Sequence, residues 1–266
     1  MQILKAMLLG LIQGFSEFFP ISSSGNVYFF SNLLNTSACT ISFDILMHCA
    51  VLVTLILVFY KDLIHIIKNK FSHFNKMFLL SCLPIFAFTL LLESRVETYL
   101  YSSKIFGLGF ILTGAAIYYE TRLRPGKKHL KSINVKDALI IGAFQAVGAV
   151  PAVSRTGLAF CGGLQQGYDS KSSLKYAYLL SVPAMLGKIA FDVIKILTVA
   201  SNTVVTDIFG FFPMLAAFIT AVIGSLVAIR IMQRLAVKGK FRFFAYYLFV
   251  IGVITLIDMI AVNKIF

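Results

Sequence analysis

A polar segment, QGFSEFFPISSSGN, interrupts a stretch of chain that is otherwise strongly apolar. Three adjacent serines followed by glycine are typical of a turn that cradles phosphate, although small residues also let helices approach each other closely. A buried carboxylate stays ionised only beside a cation. The glutamate, Glu17, is therefore predicted to face both Arg155 of the second polar segment and a divalent metal ion. The candidate site residues of this segment are Gln13, Glu17, Ser22, Ser23, Ser24, Gly25 and Asn26.

A second polar segment, PAVSRTG over residues 151–157, places Arg155 between two apolar stretches. An arginine in this setting could extend its long side chain to the membrane interface. Its neighbours Ser154, Thr156 and Gly157, however, form a small turn that is rich in hydrogen-bond donors. Successive N–H groups at the start of a helix, next to a guanidinium, make an anion site that suits phosphate. We predict that these four residues bind phosphate oxygens.

The composition indicates an integral membrane protein. Of 266 residues, 59% are hydrophobic and 13% are charged, and the mean hydropathy is +0.87. A soluble domain of this length would have too little polar surface to cover itself. The net charge of +13 would suit nucleic acid, but the basic residues lie in short loops between apolar runs, as membrane orientation signals do. The predicted partner is therefore membrane lipid, with no nucleic acid.

Two kinds of apolar segment can be distinguished. The regions 3–34 and 138–166 are each broken near the middle by proline, hydroxyl residues and glycine. Irregular backbone is tolerated in a bilayer only where it is buried in protein or lines a wet cavity. We therefore predict an all-α, polytopic membrane protein with six transmembrane helices and two re-entrant helical hairpins, in a single domain over 1–266. The predicted spans, each long enough to cross a bilayer, are 41–60, 77–93, 100–119, 174–192, 211–229 and 243–262.

The two interrupted regions resemble each other. Leu9–Gly25 aligns with Ile141–Gly157, so that glycine, glutamine, serine and glycine coincide at four matched positions. Each half of the chain, about 1–125 and about 132–266, then holds one hairpin and three spans. An odd number of crossings turns the second half upside down, which predicts an inverted-topology repeat with a site near the midplane.

Basic residues predict the orientation. They concentrate in the loops 61–76 and 120–137 and in the segment after residue 229, which six alternating spans place on one face. The positive-inside rule makes that face cytoplasmic. The opposite loops at 35–42, 93–104 and 200–210 contain only Arg95 and Lys104 as cations. Both termini and the mouth of the first hairpin are thus predicted to lie on the outer face.

Other polar residues of the spans are interpreted as structural. His48 lies in an apolar span without a second His or Cys at metal-binding spacing, so a packed or surface-facing histidine is favoured over a metal ligand. Lys188, Asp192 and Lys195 have helical spacing and are predicted to neutralise one another near a helix end.

EFFPISSSGN and PAVSRTG together resemble the two signature segments of the undecaprenyl-diphosphate phosphatase (bacitracin-resistance) family of bacterial inner-membrane enzymes. The similarity extends to FDILMHCAVLVTLILVFY and to the chain length. It implies hydrolysis of undecaprenyl diphosphate to the monophosphate, which recycles the lipid carrier for cell-wall synthesis. It also implies the same six-span fold in the inner membrane and a divalent cation, Mg²⁺ or Ca²⁺. With the orientation above, the site would open toward the periplasm. Whether the protein forms a homodimer is left open.

The resemblance also carries over roles by position. The family's second motif glutamate is Glu17, expected to be catalytic and to bind the metal ion. Its paired serines are Ser22 and Ser23, and its arginine is Arg155. Ser23, or a water polarised by the metal and Glu17, is predicted to attack the terminal phosphorus.

Two positions depart from the family pattern. Gln13 stands where the family usually has glutamate, and Asn26 stands where it usually has histidine. Asparagine can hydrogen-bond a phosphate but cannot take a proton at neutral pH. Two other functions therefore stay open beside the phosphatase: a transporter of polyprenyl-phosphate carriers, since inverted repeats are typical of alternating access, and a catalytically impaired homologue that binds lipid phosphate. The intact arginine motif and serine turn favour the enzyme.

Overall fold

A computed structural model describes residues 1–36, 40–100, 103–122, 126–199 and 209–258, without the side chains of 91–100, 103–105 and 199. The regular elements in these residues are helices. A short 3₁₀ turn covers Leu130–Ser132. The α-helices are α1 (Gln2–Phe18), α2 (Ser23–Leu33), α3 (Ile41–Lys68), α4 (His73–Leu100), α5 (Ser103–Glu120), α6 (Val135–Val147), α7 (Arg155–Gln165), α8 (Ser170–Val199), α9 (Phe211–Val237) and α10 (Arg242–Ile257).

Three of the described helices have the length and apolar composition to cross a membrane: Ile41–Lys68, His73–Leu90 and Phe211–Val237. The shorter helix Arg242–Ile257 is also apolar. Large apolar side chains on these helices are exposed, for example Leu57 at 59% and Phe211 at 75%. Exposed apolar side chains in such numbers are typical of a surface that faces lipid. The structure is thus that of a helical protein with membrane character.

Two predicted basic loops are shorter than the sequence indicated. α3 continues to Lys68 and α9 continues to Val237, so Lys61, Arg230 and Arg234 lie on helices and not in loops. Lys68 and Arg234 lie in the last turns of these helices, where a cation interacts favourably with the negative C-terminal pole. The side chains of Arg95 and Lys104 and the segment 200–208 lie outside the described residues.

Both interrupted regions are helices broken at the predicted places. α1 ends at Phe18 and α2 begins after Ser22, whose backbone is left-handed with φ 66°. α6 and α7 are separated by 148–154, where Ala152 has φ 59°. The helices that follow the two breaks, α2 and α7, each contain 11 residues. A serine hydroxyl caps each of them by accepting a hydrogen bond from a glycine N–H in the first turn, as N-cap serines commonly do.

The two halves of the chain exchange their interrupted helices. α1 packs on α9, and α6 packs on α4. At Gly10 a Cβ atom would lie 2.1 Å from the carbonyl oxygen of Ala217, and at Gly142 a Cβ atom would lie 2.3 Å from that of Ser81. These two glycines occupy matched positions of the sequence repeat. Only glycine allows such close backbone contact, so these positions permit the close packing of α1 on α9 and of α6 on α4.

Candidate functional site

A cavity of about 370 Å³ lies between the two helix breaks. Its wall is built by α1, α2, α3, α4, α7 and α8 and by the turns that join α1 to α2 and α6 to α7. Both polar segments singled out in the sequence therefore contribute to one space. The predicted site residues that line it are Gln13, Glu17, Ser22, Ser23, Ser24, Ser154, Arg155 and Thr156.

The carboxylate of Glu17 joins the two segments. Its Oε1 lies 3.6 Å from Nη2 of Arg155, and its Oε2 accepts a hydrogen bond of 3.0 Å from the amide of Gln13. Gln13 and Glu17 are four residues apart on α1, so they share one helix face. The hydroxyl of Thr156 donates to the backbone carbonyl of Glu17 at 3.0 Å. With the Glu17 side chain only 4% exposed, the pair is shielded from bulk solvent, and each charge depends on the other for stabilisation.

Two helix N-termini meet at the cavity. α2 begins with Ser23 and Ser24, α7 begins with Arg155 and Thr156, and all four residues line the wall. The first N–H groups of an α-helix have no partner within the helix, and they form the positive pole of its dipole. Together with the guanidinium they create an environment that favours a multiply charged anion.

Gly25, Asn26 and Gly157 were also predicted to contact substrate, but none of them is among the described residues of the cavity wall. The N–H groups of the two glycines donate to the cap hydroxyls of Ser22 and Ser154. Position three of a capped helix turns its N–H back toward the cap, so these two N–H groups are already used within the helix start. Contact of the three residues with substrate stays a prediction.

The side chain of Asn26 holds the first break together. Its Nδ2 donates to the carbonyls of Ile21 at 2.7 Å and Ser22 at 2.8 Å. The hydroxyl of Tyr247 donates to its Oδ1. Because carbonyls at a broken helix need partners when they are buried, Asn26 supplies a structural function at the position where a proton-carrying residue was expected.

His48, which the sequence predicts to be a packed or surface-facing histidine, lines the same cavity. His48 is 6% exposed and lies on the wall together with Asp44 and Lys188. Nδ1 of His48 is 2.8 Å from the backbone carbonyl of Asp44 and 3.4 Å from its Oδ1. Nζ of Lys188 is 3.6 Å from Oδ2 of Asp44 and 2.6 Å from Oδ1 of Asp192. The predicted pairing of Lys188 with Asp192 is confirmed. The contact of His48 with Asp44 could have been predicted from their i, i+4 spacing on one helix.

The profile of the bacitracin resistance protein BacA family matches residues 6–254. This chain belongs to the BacA family. Among curated members, the undecaprenyl-diphosphatase of Carboxydothermus hydrogenoformans is 30% identical over 97% of both chains. The undecaprenyl-diphosphatase of Thermosipho africanus is 32% identical over 93% of this chain and 97% of its own. That of Methanosphaera stadtmanae is 29% identical over 97% of this chain and 98% of its own.

In this BacA-family protein one side of the cavity is apolar. Phe86 and Leu90 of α4 and Gly187, Phe191 and Ile194 of α8 belong to this wall. Leu90 is 85% exposed and Ile194 is 58% exposed, so the apolar side reaches the outer surface of the helices. At Gly187 a Cβ atom would lie 3.1 Å from the ring of Phe86. The cavity thus combines a charged inner end with an apolar path to the surface, which suits an amphiphilic ligand.

The polar residues of the cavity wall fit a divalent cation only together with further ligands. Within the described residues no group of three or more His, Cys, Asp or Glu side chains is placed to hold a metal ion. Glu17 offers one carboxylate, and Gln13 and the cavity serines offer neutral oxygens. Mg²⁺ is commonly held by one or two carboxylates together with substrate phosphates and water. This donor set fits a cation that binds together with a phosphorylated ligand.

Proposed function

We propose that this BacA-family protein hydrolyses undecaprenyl diphosphate to undecaprenyl phosphate and inorganic phosphate, and so recycles the lipid carrier for cell-wall synthesis. The observation that carries the proposal is the contact of Glu17 with Arg155 at two converging helix N-termini. Phosphoryl transfer depends mostly on positioning and on neutralising charge, and this arrangement supplies both. The names of the three relatives above support the same reaction.

The cavity suggests how the substrate binds. The diphosphate occupies the charged inner end, where Arg155 and the first N–H groups of α2 and α7 contact its oxygens. The polyprenyl tail runs along the apolar wall between α4 and α8 and leaves beside Leu90 and Ile194, which are exposed on the helix surface. Burial of each methylene group contributes roughly 0.8 kcal/mol to binding, so the tail supplies much of the affinity.

The residues at the charged inner end of the cavity have different roles in the proposed reaction. Arg155 and the helix N-termini stabilise the charge that develops on the phosphoryl oxygens. The hydroxyl of Ser23, or a water held near Glu17, attacks the terminal phosphorus. The bond from that phosphorus to the bridging oxygen breaks, and its electron pair stays on undecaprenyl phosphate. Attack by water gives inorganic phosphate directly, whereas attack by Ser23 gives a phosphoserine that a water molecule must then hydrolyse to release inorganic phosphate. A bound Mg²⁺ or Ca²⁺ would neutralise further charge on the phosphates, held by Glu17 with help from Gln13.

For the membrane arrangement we propose six transmembrane helices and two re-entrant hairpins, α1–α2 and α6–α7, in an inverted-topology repeat of about 1–125 and about 132–266. The equal length and capping of α2 and α7 support it, as does the exchanged packing at Gly10 and Gly142. The protein would lie in the bacterial inner membrane with the cavity open to the periplasm. Whether it forms a homodimer is tested by measuring the mass of the detergent-solubilised protein.

The test is metal-dependent phosphate release by the detergent-purified protein from undecaprenyl and farnesyl diphosphate. Arg155→Ala and Glu17→Ala are expected to lower kcat by about 10²–10³-fold or more, because each removes a preorganised charge at the reacting centre. Lys175→Ala is the matched control, since its ion pair with Asp62 at 2.7 Å lies off the cavity wall. Near-parental turnover in either site variant refutes the assignment of roles. A carrier transporter would move polyprenyl phosphate across vesicles without releasing phosphate.

A further inference from the structure

The proposed reaction requires an acceptor for the proton of the attacking hydroxyl group. Both carboxylate oxygens of Glu17 already face partners, one the guanidinium of Arg155 and the other the amide of Gln13. Asn26 is occupied in holding the first helix break and lies off the described wall. Serine hydroxyls and amides do not accept protons near neutral pH. Among the described residues of the wall, His48 is the one imidazole.

The surroundings of His48 determine which of its nitrogens can act. Nδ1 lies 2.8 Å from the carbonyl oxygen of Asp44, one turn earlier on α3. A carbonyl only accepts hydrogen bonds, so Nδ1 carries the hydrogen of the neutral ring and Nε2 carries the lone pair. Within the described part of the chain Nε2 makes no hydrogen bond, while the ring lines the cavity. The lone pair is thus available to a group bound there.

The charged residues around His48 hold it in this orientation. The carboxylate of Asp44 lies between the imidazole, at 3.4 Å, and Nζ of Lys188 on α8, at 3.6 Å. Lys188 is held in turn by Asp192, with 2.6 Å between Nζ and Oδ1. On α1, which also packs on α3, the charged residue of the same wall is Glu17. α9 packs on α3 as well, but none of the described residues of the wall comes from α9. A base whose second nitrogen is fixed by a third group is a recurrent arrangement for activating a hydroxyl.

We propose that His48 is the general base of this protein, a role that rests on the proposed phosphatase function, and that Asp44 is its positioning residue. Nε2 of His48 takes the proton of the attacking hydroxyl, from water or Ser23, as the oxygen forms its bond to the terminal phosphorus. The bond from phosphorus to the bridging oxygen breaks, and the electron pair leaves with undecaprenyl phosphate. The imidazolium then passes its proton to water at the cavity mouth, where Asp44 is 45% exposed. If Ser23 is the attacking group, water then attacks the phosphoserine, its proton again passes to Nε2 of His48, and inorganic phosphate leaves as the Ser23 hydroxyl is restored.

The decisive variant is His48→Gln, measured as kcat and KM for undecaprenyl diphosphate across roughly the pH range in which imidazole titrates. Glutamine can still donate to the Asp44 carbonyl but cannot take a proton. We expect kcat to fall by about 10²–10⁴-fold, with little change in KM. The acid limb of the parental kcat profile, where the rate falls as the imidazole is protonated, should be absent in the variant. Added imidazole should restore part of the rate to His48→Ala.

Two further variants keep the test sharp. His65→Gln changes an exposed histidine on the same helix, outside the described cavity wall, and should leave kcat and its pH profile unchanged. Asp44→Asn keeps the backbone acceptor and removes the charge, so its kcat should fall by a smaller factor, on the order of tenfold. This variant decides the matter if His48→Gln fails to fold.

An active parent whose His48→Gln variant keeps its kcat, or keeps the acid limb at reduced rate, overturns the inference. A near-parental kcat in Asp44→Asn overturns the positioning role. A parent that releases no phosphate from any polyprenyl diphosphate refutes the proposed function instead, so the two failures are distinguishable.

Discussion

Removal of the Arg155 side chain should destabilise the protein through the carboxylate that it leaves behind. Nη2 of Arg155 lies 3.6 Å from Oε1 of Glu17, which at an effective dielectric constant of about 20 corresponds to an attraction of roughly 5 kcal/mol. Breaking a buried ion pair by removing one partner typically costs about 3–5 kcal/mol. Because the arginine side chain is 20% exposed, water can reach part of the site. We therefore expect a loss of about 3 kcal/mol in Arg155→Ala.

A double variant separates the unpaired charge from lost packing. In Arg155→Ala combined with Glu17→Gln no charge is left unpaired, and the new amide can still accept the hydrogen bond from Gln13. This variant should recover most of the lost stability and none of the activity. At about 2–4 °C per kcal/mol for a chain of this size, the single variant should melt about 6–12 °C below the parent.

Thermal unfolding in detergent can be followed with a thiol-reactive dye, because Cys82 and Cys161 are buried and free and react only when unfolding exposes them. Chelator is included so that no cation replaces the guanidinium beside Glu17. A single variant that melts within about 2 °C of the parent would refute the reasoning. So would a double variant that melts no higher than the single one, since the cost would then lie in packing and not in charge.

Three other outcomes are expected. Gly14→Ala should cost about 1–3 kcal/mol of stability, since its Cβ would lie 2.3 Å from a carbonyl oxygen of α9. Gly210→Ala, whose Cβ would have nothing within 4 Å, changes only the N-cap of α9 and should cost less in the same melting assay. Burial raises the pKa of Asp169, but hydrogen bonds from Ser172 and His129 outweigh it, and the net shift of the pKa is downward. A lowered pKa stabilises the fold at pH values above the ordinary carboxyl value of about 4, and this stabilisation is lost as the carboxylate is protonated in acid. Asp169→Asn should therefore melt below the parent at neutral pH and at the same temperature as the parent in acid. Gly187→Leu narrows the proposed path of the polyprenyl tail along the apolar wall. In a phosphate-release assay it should therefore raise KM for undecaprenyl diphosphate more than for farnesyl diphosphate. Equal changes in the two KM values would contradict the proposed tail path.

The chemistry of the two helix breaks could be predicted from local sequence. A proline, adjacent hydroxyl residues and a lone charge within an apolar run each restrict the backbone in a known way. The pairing of Glu17 with Arg155 followed from the cost of burying either charge alone, and the structure brings the two side chains together. The six-span arrangement and the exact repeat boundaries stay predictions.

The direction of individual hydrogen-bonding groups could not be predicted in the same way. Gly25 and Gly157 belong to polar motifs, yet capping turns their N–H groups back into the helix start. Asn26 was interpreted by analogy with a histidine, but the unpaired carbonyls of the break and the hydroxyl of Tyr247 bind its amide. One turn of helix decides which face a residue presents, and motif spacing alone does not reveal which face the cavity occupies.

The sequence by itself determined the helical, apolar character of the chain, the position of both breaks and the polar residue types beside them, because composition and short spacings are properties of neighbouring residues. Only the tertiary structure decided that His48, Asp44 and Lys188 share the cavity with Glu17, and that α4 and α8 form its apolar side. Those placements depend on how helices distant in sequence pack, which close contacts such as those at Gly10 and Gly142 set, and no local pattern in the chain encodes them.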